Sequence, residues 1–391
     1  MRPLDSQIMT QDGSIEIRKP TGPSVKLAFF GDLAFHGAVL ESLVQESPDA
    51  VFDGFRNHTL QADLVIGNLE SVLVRHPYSP LGGKACLISD LRALAGLEAA
   101  GFHVLTLANN HIMDAGPDGL RECLEGIAAS PIAVTGAGLD AEQARRPASR
   151  RVGPMTFKIF SYSYGAGQIT GRSRAGCNEA VLGGIRKDVA EFCEEGDFAV
   201  VCLHMDAEFQ PTPAPDRVAM CRKLAEDGVP LVICHHPHVL QGIEIHQGSL
   251  IAYSLGNYIF SIQPYMRQNS DETHLTCHLE IEVDVGGPVS ARIEPAEIDN
   301  RGAPSPAEGK TRRDILSMVA ERSRLLSDPS ALNERYLRMA KEFTSATFKN
   351  IYWAIGERDL GRLKLLTRSL IISRTKRNWI RHYLLHRLFG R

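Results

Sequence analysis

HVLTLANNHIMDAG, residues 103–116, joins an apolar run directly to a group of ligand-type side chains. His103 to Ala108 is rich in Val and Leu and short, the signature of a buried strand. Asn109, Asn110 and His111 follow at once, with Asp114 three residues further on. Two asparagines and a histidine cannot lie unpaired in a core, so a loop has to begin there. Amide oxygens and imidazole nitrogens at a strand's carboxyl end are metal ligands or proton carriers, and the open edge of an α/β sheet is where they collect.

The flanking sequence repeats the arrangement. VKLAFFGD (25–32) and ADLVIGNLE (62–70) read as strands ending in Asp32 and in Asn68 and Glu70. FAVVCLH (198–204) ends in His204, VPLVICHH (229–236) runs into His235, His236 and His238, and LIAYSLGN (250–257) reads as a strand ending in Asn257. Helical patterns separate most of these strands; the one from about Pro117 to Ala129 has proline in its first turn. Such alternation implies sheets packed between helices, an α/β fold. HLTCHLEIEV and SARIEPAEI, near 274–298, read as an antiparallel pair closing the domain.

Taken singly, these signals are weak. Gly-Asp after a strand is ordinarily a turn, and Asn-Leu-Glu can cap a helix. His-His-Pro-His is more telling, because proline stiffens the backbone between imidazoles that can converge on one centre. Parallel strands bring all these ends to one rim, and carboxylate, amide and imidazole together suit Mn, Fe or Zn. GAGLDA (136–141) fits a dinucleotide loop, but no acid stands where a ribose would be held.

The chain has 391 residues with 43% hydrophobic content, enough for one large domain with an appendage. The expected boundaries are a loose arm at 1–23, the α/β domain at 24–300 and a helical extension at 301–391. The net charge of −3 favours no particular partner, and no specific nucleic acid is expected. The N-terminal stretch mixes charges and lacks the apolar centre of a signal peptide. Eight cysteines form no CxxC pair and read as reduced thiols, so a cytoplasmic protein is expected.

Six motifs in order, GD (31–32), GNLE (67–70), ANNHIMD (108–114), HMDAEF (204–209), HHPHVLQG (235–242) and YSLGNYIF (253–260), resemble the signature series of the CapA family. These are poly-γ-glutamate capsule synthesis proteins, a branch of the calcineurin-like metallophosphoesterases. The resemblance spans residues 25 to 262. It implies a four-layer α/β/β/α sandwich with one or two divalent ions at the sheet rim. Carried over, Asp32 binds a first metal, Glu70 sits between two, Asn110 and His204 bind the second, and His236 and His238 complete the pair. His111 is then the proton donor to a leaving oxygen, its ring oriented by Asp114. Asn68, Asn109, Glu208, His235, Asn257 and Lys84 are candidates for support or substrate contact. Four departures stand out. Ala34 replaces the histidine of the superfamily's Asp-x-His, Glu70 replaces an aspartate, Cys234 stands where the family usually has glycine, and HMD replaces the common His-Trp-Gly.

The resemblance implies a metal-dependent hydrolase of a phosphoester or related bond in capsule or exopolymer synthesis. The alternatives are an enzyme that forms or cuts amide bonds in poly-γ-glutamate, and a metal-stabilised accessory subunit of a synthase. An anionic polymer or phosphoester is the expected substrate. Residues 360–391 carry nine Lys/Arg and no Asp/Glu, with Leu363, Leu366, Leu370, Ile380, Leu384 and Leu388 at helical spacing. That pattern reads as a helix packed on the domain or as a contact, through 358–391, with a synthase or the inner membrane surface.

Overall fold

Strands that are apolar on both faces must be covered on both, and this chain does so with two large sheets. The computed structural model describes residues 2–3, 9–45, 51–75, 86–165, 169–357, 359–361, 364, 366–367 and 374–389. In the first sheet Val25–Ala34, Leu64–Leu69, Val104–Thr106 and Ala133–Thr135 run parallel and adjacent in that order. Beyond Val25–Ala34 the sheet continues antiparallel through Leu275–Asp284 and Gly287–Ile298. In the second sheet Met155–Ser163, Phe198–His204, Leu231–His235 and Ser249–Ala252 are parallel. Ala148–Val152 and Ile243–His246 flank them antiparallel.

Side-chain alternation along each strand sorts most of the core into three parts. Leu27, Phe29 and Ile66 of the first sheet share one cluster with Ile159, Val200 and Ile233 of the second. Ala28, Phe30 and Val65 face the other way, toward Leu97, Leu120 and Leu124 of the helices Ala93–Ala99 and Gly116–Ala128. Val201, Leu203 and Val232 meet Ile185, Val218 and Leu224 of Leu182–Phe192 and Pro215–Glu226. In Gly116–Ala128 the buried Leu120, Cys123, Leu124 and Ile127 recur every three or four residues, so one stripe of the helix lies on the sheet. Phe30 anchors an aromatic group, its ring centroid 5.2 Å from Phe55, 5.3 Å from Phe102 and 4.8 Å from Tyr258.

Three expectations differ from the structure. The N-terminal arm is partly ordered: Ser14–Glu16 adds a strand to Gly287–Ile298, because Ile15 buries its side chain in the inter-sheet cluster. The segment after 301 is not simply appended either. Helix Gly309–Leu325 inserts Ile315, Leu316, Val319 and Ala320 into that same cluster. Finally, 250–257 is not one strand. Ser249–Ala252 belongs to the second sheet, and Asn257–Phe260 pairs with Val25–Ala34 in the first.

Gly256, at φ +73°, makes that crossing, and the amide N–H of Asp32 donates to its carbonyl at 3.0 Å. The backbones approach so closely that a Cβ on Gly31 would stand 2.2 Å from the Gly256 oxygen. Further on, Arg374–Phe389 lies against Pro329–Gly356, with Trp379 on Phe343 at 4.6 Å and His382 on Tyr336 at 5.4 Å. Leu363 and Leu370 lie outside the described residues.

Gly31→Ala is therefore expected to lower stability by about 1–3 kcal/mol, the usual effect of overpacking. Gly183→Ala, in a helix with nothing within 4 Å of its new Cβ, should be neutral or slightly stabilising. Equal urea midpoints for the two variants would contradict the close approach.

Candidate metal centre

Strand register alone brings the polar ends together. Asn257 and Asn68 are both partners of Asp32, one on each side, and His235 is the partner of His204 in the second sheet. Asp32, Asn68 and Glu70 therefore meet His204, His235 and His238 where the carboxyl ends of both sheets converge. All six are buried, whereas Asn110, His111 and His236 are partly exposed and form the accessible side.

The contacts are direct. Asn68 Nδ2 donates to Asp32 Oδ1 at 2.7 Å, and its Oδ1 accepts from Thr106 Oγ1 at 3.2 Å. His204 Nε2 lies 2.8 Å from Asn110 Oδ1 and 3.4 Å from Glu70 Oε1. Asp32 has His235 Nδ1 and His238 Nδ1 each at 3.5 Å, and the backbone N–H of His236 donates to it at 3.3 Å. The rings of His204 and His236 are 4.6 Å apart.

Asn257 sets the orientation of His238. Its Nδ2 donates to the carbonyls of Thr273 and His238, at 3.0 and 3.3 Å, so its Oδ1 must face His238 Nδ1, 2.9 Å away. An amide oxygen only accepts, so the ring proton sits on Nδ1 and the Nε2 lone pair points toward Glu70 Oε1, 3.9 Å away. A ligating imidazole ordinarily has this support on its other nitrogen. His236 and His238 both lie on left-handed backbone, φ +99° and +58°. Such conformations are strained for non-glycine residues and cluster at functional sites.

The donor set fits a divalent cation. Both carboxylate oxygens of Glu70 are buried with no hydrogen-bond partner among the described residues, as is Nδ1 of His236. An unpaired buried carboxylate is strongly unfavourable unless a positive charge faces it. Ligand atoms of Glu70, His236 and His238 lie within 4.8 Å of one another.

Protonation tendencies divide, with His204, His236 and Asp32 shifted toward the metal-binding form and Glu70 and His238 away from it. Burial, the largest cause, pushes His204 down to about 3 and His236 to about 4, so both are neutral, the form that binds metal. Burial opposes ionisation of Asp32, yet the His235 hydrogen bond and the surrounding imidazoles hold its carboxyl well below the usual range. Glu70 is pushed up by burial and then by the charge of Asp32. For His238 burial opposes protonation, but Glu70 and Asp32 outweigh it and raise the value.

Residues 26–262 match the family model described as bacterial capsule synthesis protein PGA_cap. The chain belongs to that family. PGA_cap lies within the metallophosphoesterase-like superfamily. Over 237 residues the chain is 27% identical to the PGA biosynthesis protein CapA of Bacillus subtilis, covering 60% of this chain and 62% of that one. It is 24% identical to the capsule biosynthesis protein CapA of Bacillus anthracis, covering 68% and 70%. Among solved structures, a hypothetical protein from Thermus thermophilus aligns at 14% identity and a TM-score of 0.46, covering 70% of this chain and 99% of that one.

Other members of the PGA_cap signature have positions of their own. His111 Nδ1 lies 2.6 Å from Asp114 Oδ2, which also accepts the N–H of Leu87 at 2.8 Å. Asn109 braces the loop, donating to the Leu69 carbonyl at 2.8 Å and accepting from the His111 N–H at 3.0 Å. Glu208 is exposed on the rim, its charge felt by His236 and His238. Lys84 lies outside the described residues.

Two residues escaped the sequence reading. His36 has a buried Nε2 with no hydrogen-bond partner among the described residues, and the charges of Glu70 and His111 both act on it. It stands two positions beyond Ala34, where the superfamily's imidazole is missing. Asp206 sits at φ +92°, a conformation that favours glycine, and its carboxylate accepts the N–H groups of Ala207 and Ala214 at 2.9 and 2.8 Å. Those bonds stabilise a non-glycine residue in the HMD motif.

His204 and His236 also imply a pH dependence in chelator-treated protein. Their unfolded imidazoles take up protons near 6.5, the folded ones only near 3 to 4, so the unfolded chain binds more protons in between. Their contribution is present above about 6.5 and lost as pH falls toward about 4. His236→Gln should fall less steeply than the parent in urea midpoint across that window. Identical slopes would contradict the assignment.

Proposed function

We propose that this chain is a metal-dependent hydrolase of a phosphoester or related bond, acting in capsule or poly-γ-glutamate synthesis. One observation carries the reading: both oxygens of Glu70 are buried and unpartnered among the described residues, and Oε1 faces the imidazoles of His204 and His238. The PGA_cap match and the names of the CapA relatives support the biological setting. The three core clusters support a helix, sheet, sheet, helix order, the four-layer α/β/β/α sandwich of calcineurin-like phosphoesterases.

Asp32, Glu70, Asn110, His204, His236 and His238 hold one or two ions of the Mn, Fe or Zn kind. Bound there, such ions supply Lewis acidity toward a phosphoryl-type oxygen and make water more acidic. Asp32 and Glu70 carry the compensating negative charge, and Asn110 completes the donor set without adding more. Asn68 and Asn257 hold Asp32 and His238 in their orientations. His111, its Nδ1 committed to Asp114, donates a proton from Nε2 to the leaving oxygen.

Asp32→Ala and His236→Ala are expected to lose metal on elemental analysis, while circular dichroism stays near that of the parent. His111→Ala should keep its metal but lower Mn-supported turnover of an aryl phosphoester about 10²–10⁴-fold. Full metal occupancy in both ligand variants would refute the ligand set. Cleavage or extension of glutamyl polymer without phosphoester turnover would move the reaction to amide chemistry. Bound metal with no turnover and a copurifying synthase would make the chain an accessory subunit.

We also propose that the C-terminal region touches an anionic membrane surface. No helix among the described residues is long and apolar enough to cross a membrane. Exposed Leu384 and Leu385 lie on Arg374–Phe389 with exposed Arg381 and Arg387 three residues to either side of Leu384. Apolar groups with basic side chains around them suit an interfacial contact. Deleting 358–391 should abolish flotation with anionic vesicles; unchanged flotation would overturn the contact.

A further inference from the structure

A second group of ligand-type side chains shares no residue with the centre at the rim. His278 and Glu280 are two apart on Leu275–Asp284, so both project from one face of the first sheet. His58 comes to them from helix Arg56–Leu60, which follows Phe55, whose ring packs 4.9 Å from Tyr258. His58 Nδ1 lies 2.9 Å from Glu280 Oε1, and His278 Nε2 lies 3.6 Å from the same oxygen. The three ligand atoms fall within 4.8 Å of one another.

A plain surface ion pair between His58 and Glu280 accounts for only part of this. His278 is 3% exposed, and its Nδ1 is engaged by the Tyr258 hydroxyl at 3.0 Å. Its other nitrogen, Nε2, is aimed at the cluster and has no hydrogen-bond partner among the described residues. The ring cannot turn away easily, being stacked on Phe30 at 5.0 Å. Beside it is a cavity of about 10 Å³ lined by His58, His278 and Glu294. That is about the space of one water molecule.

We propose that His58, His278 and Glu280 form a second site for a zinc-class divalent cation, with a water in the adjoining cavity as fourth ligand. Two imidazoles, one carboxylate and one water are a familiar four-coordinate zinc set. Tyr258 fixes the ring of His278 from behind, the support expected of a ligand's other nitrogen. Glu294 is the strand partner of His278, borders the cavity and is held by Arg312 at 2.9 Å, so it accepts a hydrogen bond from the water. Such a site ties the short helix at 56–60 to the sheet. Burial lowers His278 below its ordinary value, while the hydrogen bond to Glu280 raises His58.

The test uses the full chain carrying Asp32→Ala and His236→Ala, stripped with chelator, loaded with zinc and passed through gel filtration. His58→Gln and Glu280→Gln are then added singly; both side chains are about one-third exposed and tolerate replacement. The double variant is expected to retain one zinc equivalent more than either triple variant, and to show a zinc-dependent rise in melting temperature that they lack. The same one-equivalent difference is expected between the native chain and His58→Gln alone. Equal zinc content with and without His58 overturns the site, as does retained zinc with no thermal shift. Because two rim ligands are already replaced, this result is separate from the fate of the hydrolase reading.

Discussion

Two carboxylates buried within reach of the same imidazoles are the constraint around which this molecule is built. Asp32 and Glu70 cannot both be comfortable as anions in a medium of low polarisability, and their environments push them in opposite directions. Asp32 is answered by three histidines, a backbone N–H and the amide of Asn68. Glu70 has neither a hydrogen-bond donor among the described residues nor access to solvent. The geometry leaves a positive charge as its natural partner, and the nearby nitrogens face it as lone-pair donors.

Such a centre survives only on a stiff frame. Asp32, Asn68, Glu70, His204 and His235 stand at or near the carboxyl ends of strands buried along almost all of their length, so their positions are inherited from the register of two sheets. The neighbours then remove the remaining freedom. Asn257 decides which nitrogen of His238 carries a proton, and Asn109 closes the loop that presents Asn110 and His111. Strained backbone at His236 and His238 is tolerated because both imidazoles are brought inward by it.

Much of this was legible in the residues themselves. Apolar runs ending in Asp32, Asn68, His204 and His235 locate strand ends, and parallel pairing brings those ends together. Other features were hidden because they depend on contacts distant in sequence. The break after Ala252 has no strong local signal: Tyr253 to Asn257 continues an apolar run, and only pairing with Asp32 shows that the chain has changed sheets. Ile15 looks like an isolated apolar residue in a polar arm until its partner strand is in place. His36 was overlooked because the expected spacing put an imidazole at position 34. Helix Gly309–Leu325 reads as an appendage because its buried face meets strands far upstream.

The passage from Ser249–Ala252 to Asn257–Phe260 acts as a stitch through the molecule. The short link between them spans the distance between the sheets, and Asn257 at its end grips both Asp32's strand and the ring of His238. The two halves of the rim therefore cannot slide past each other without pulling on that seam. Shear between the layers would be felt first at the donors themselves, which makes the spacing of the centre a property of the whole sandwich of strands and not of any single loop.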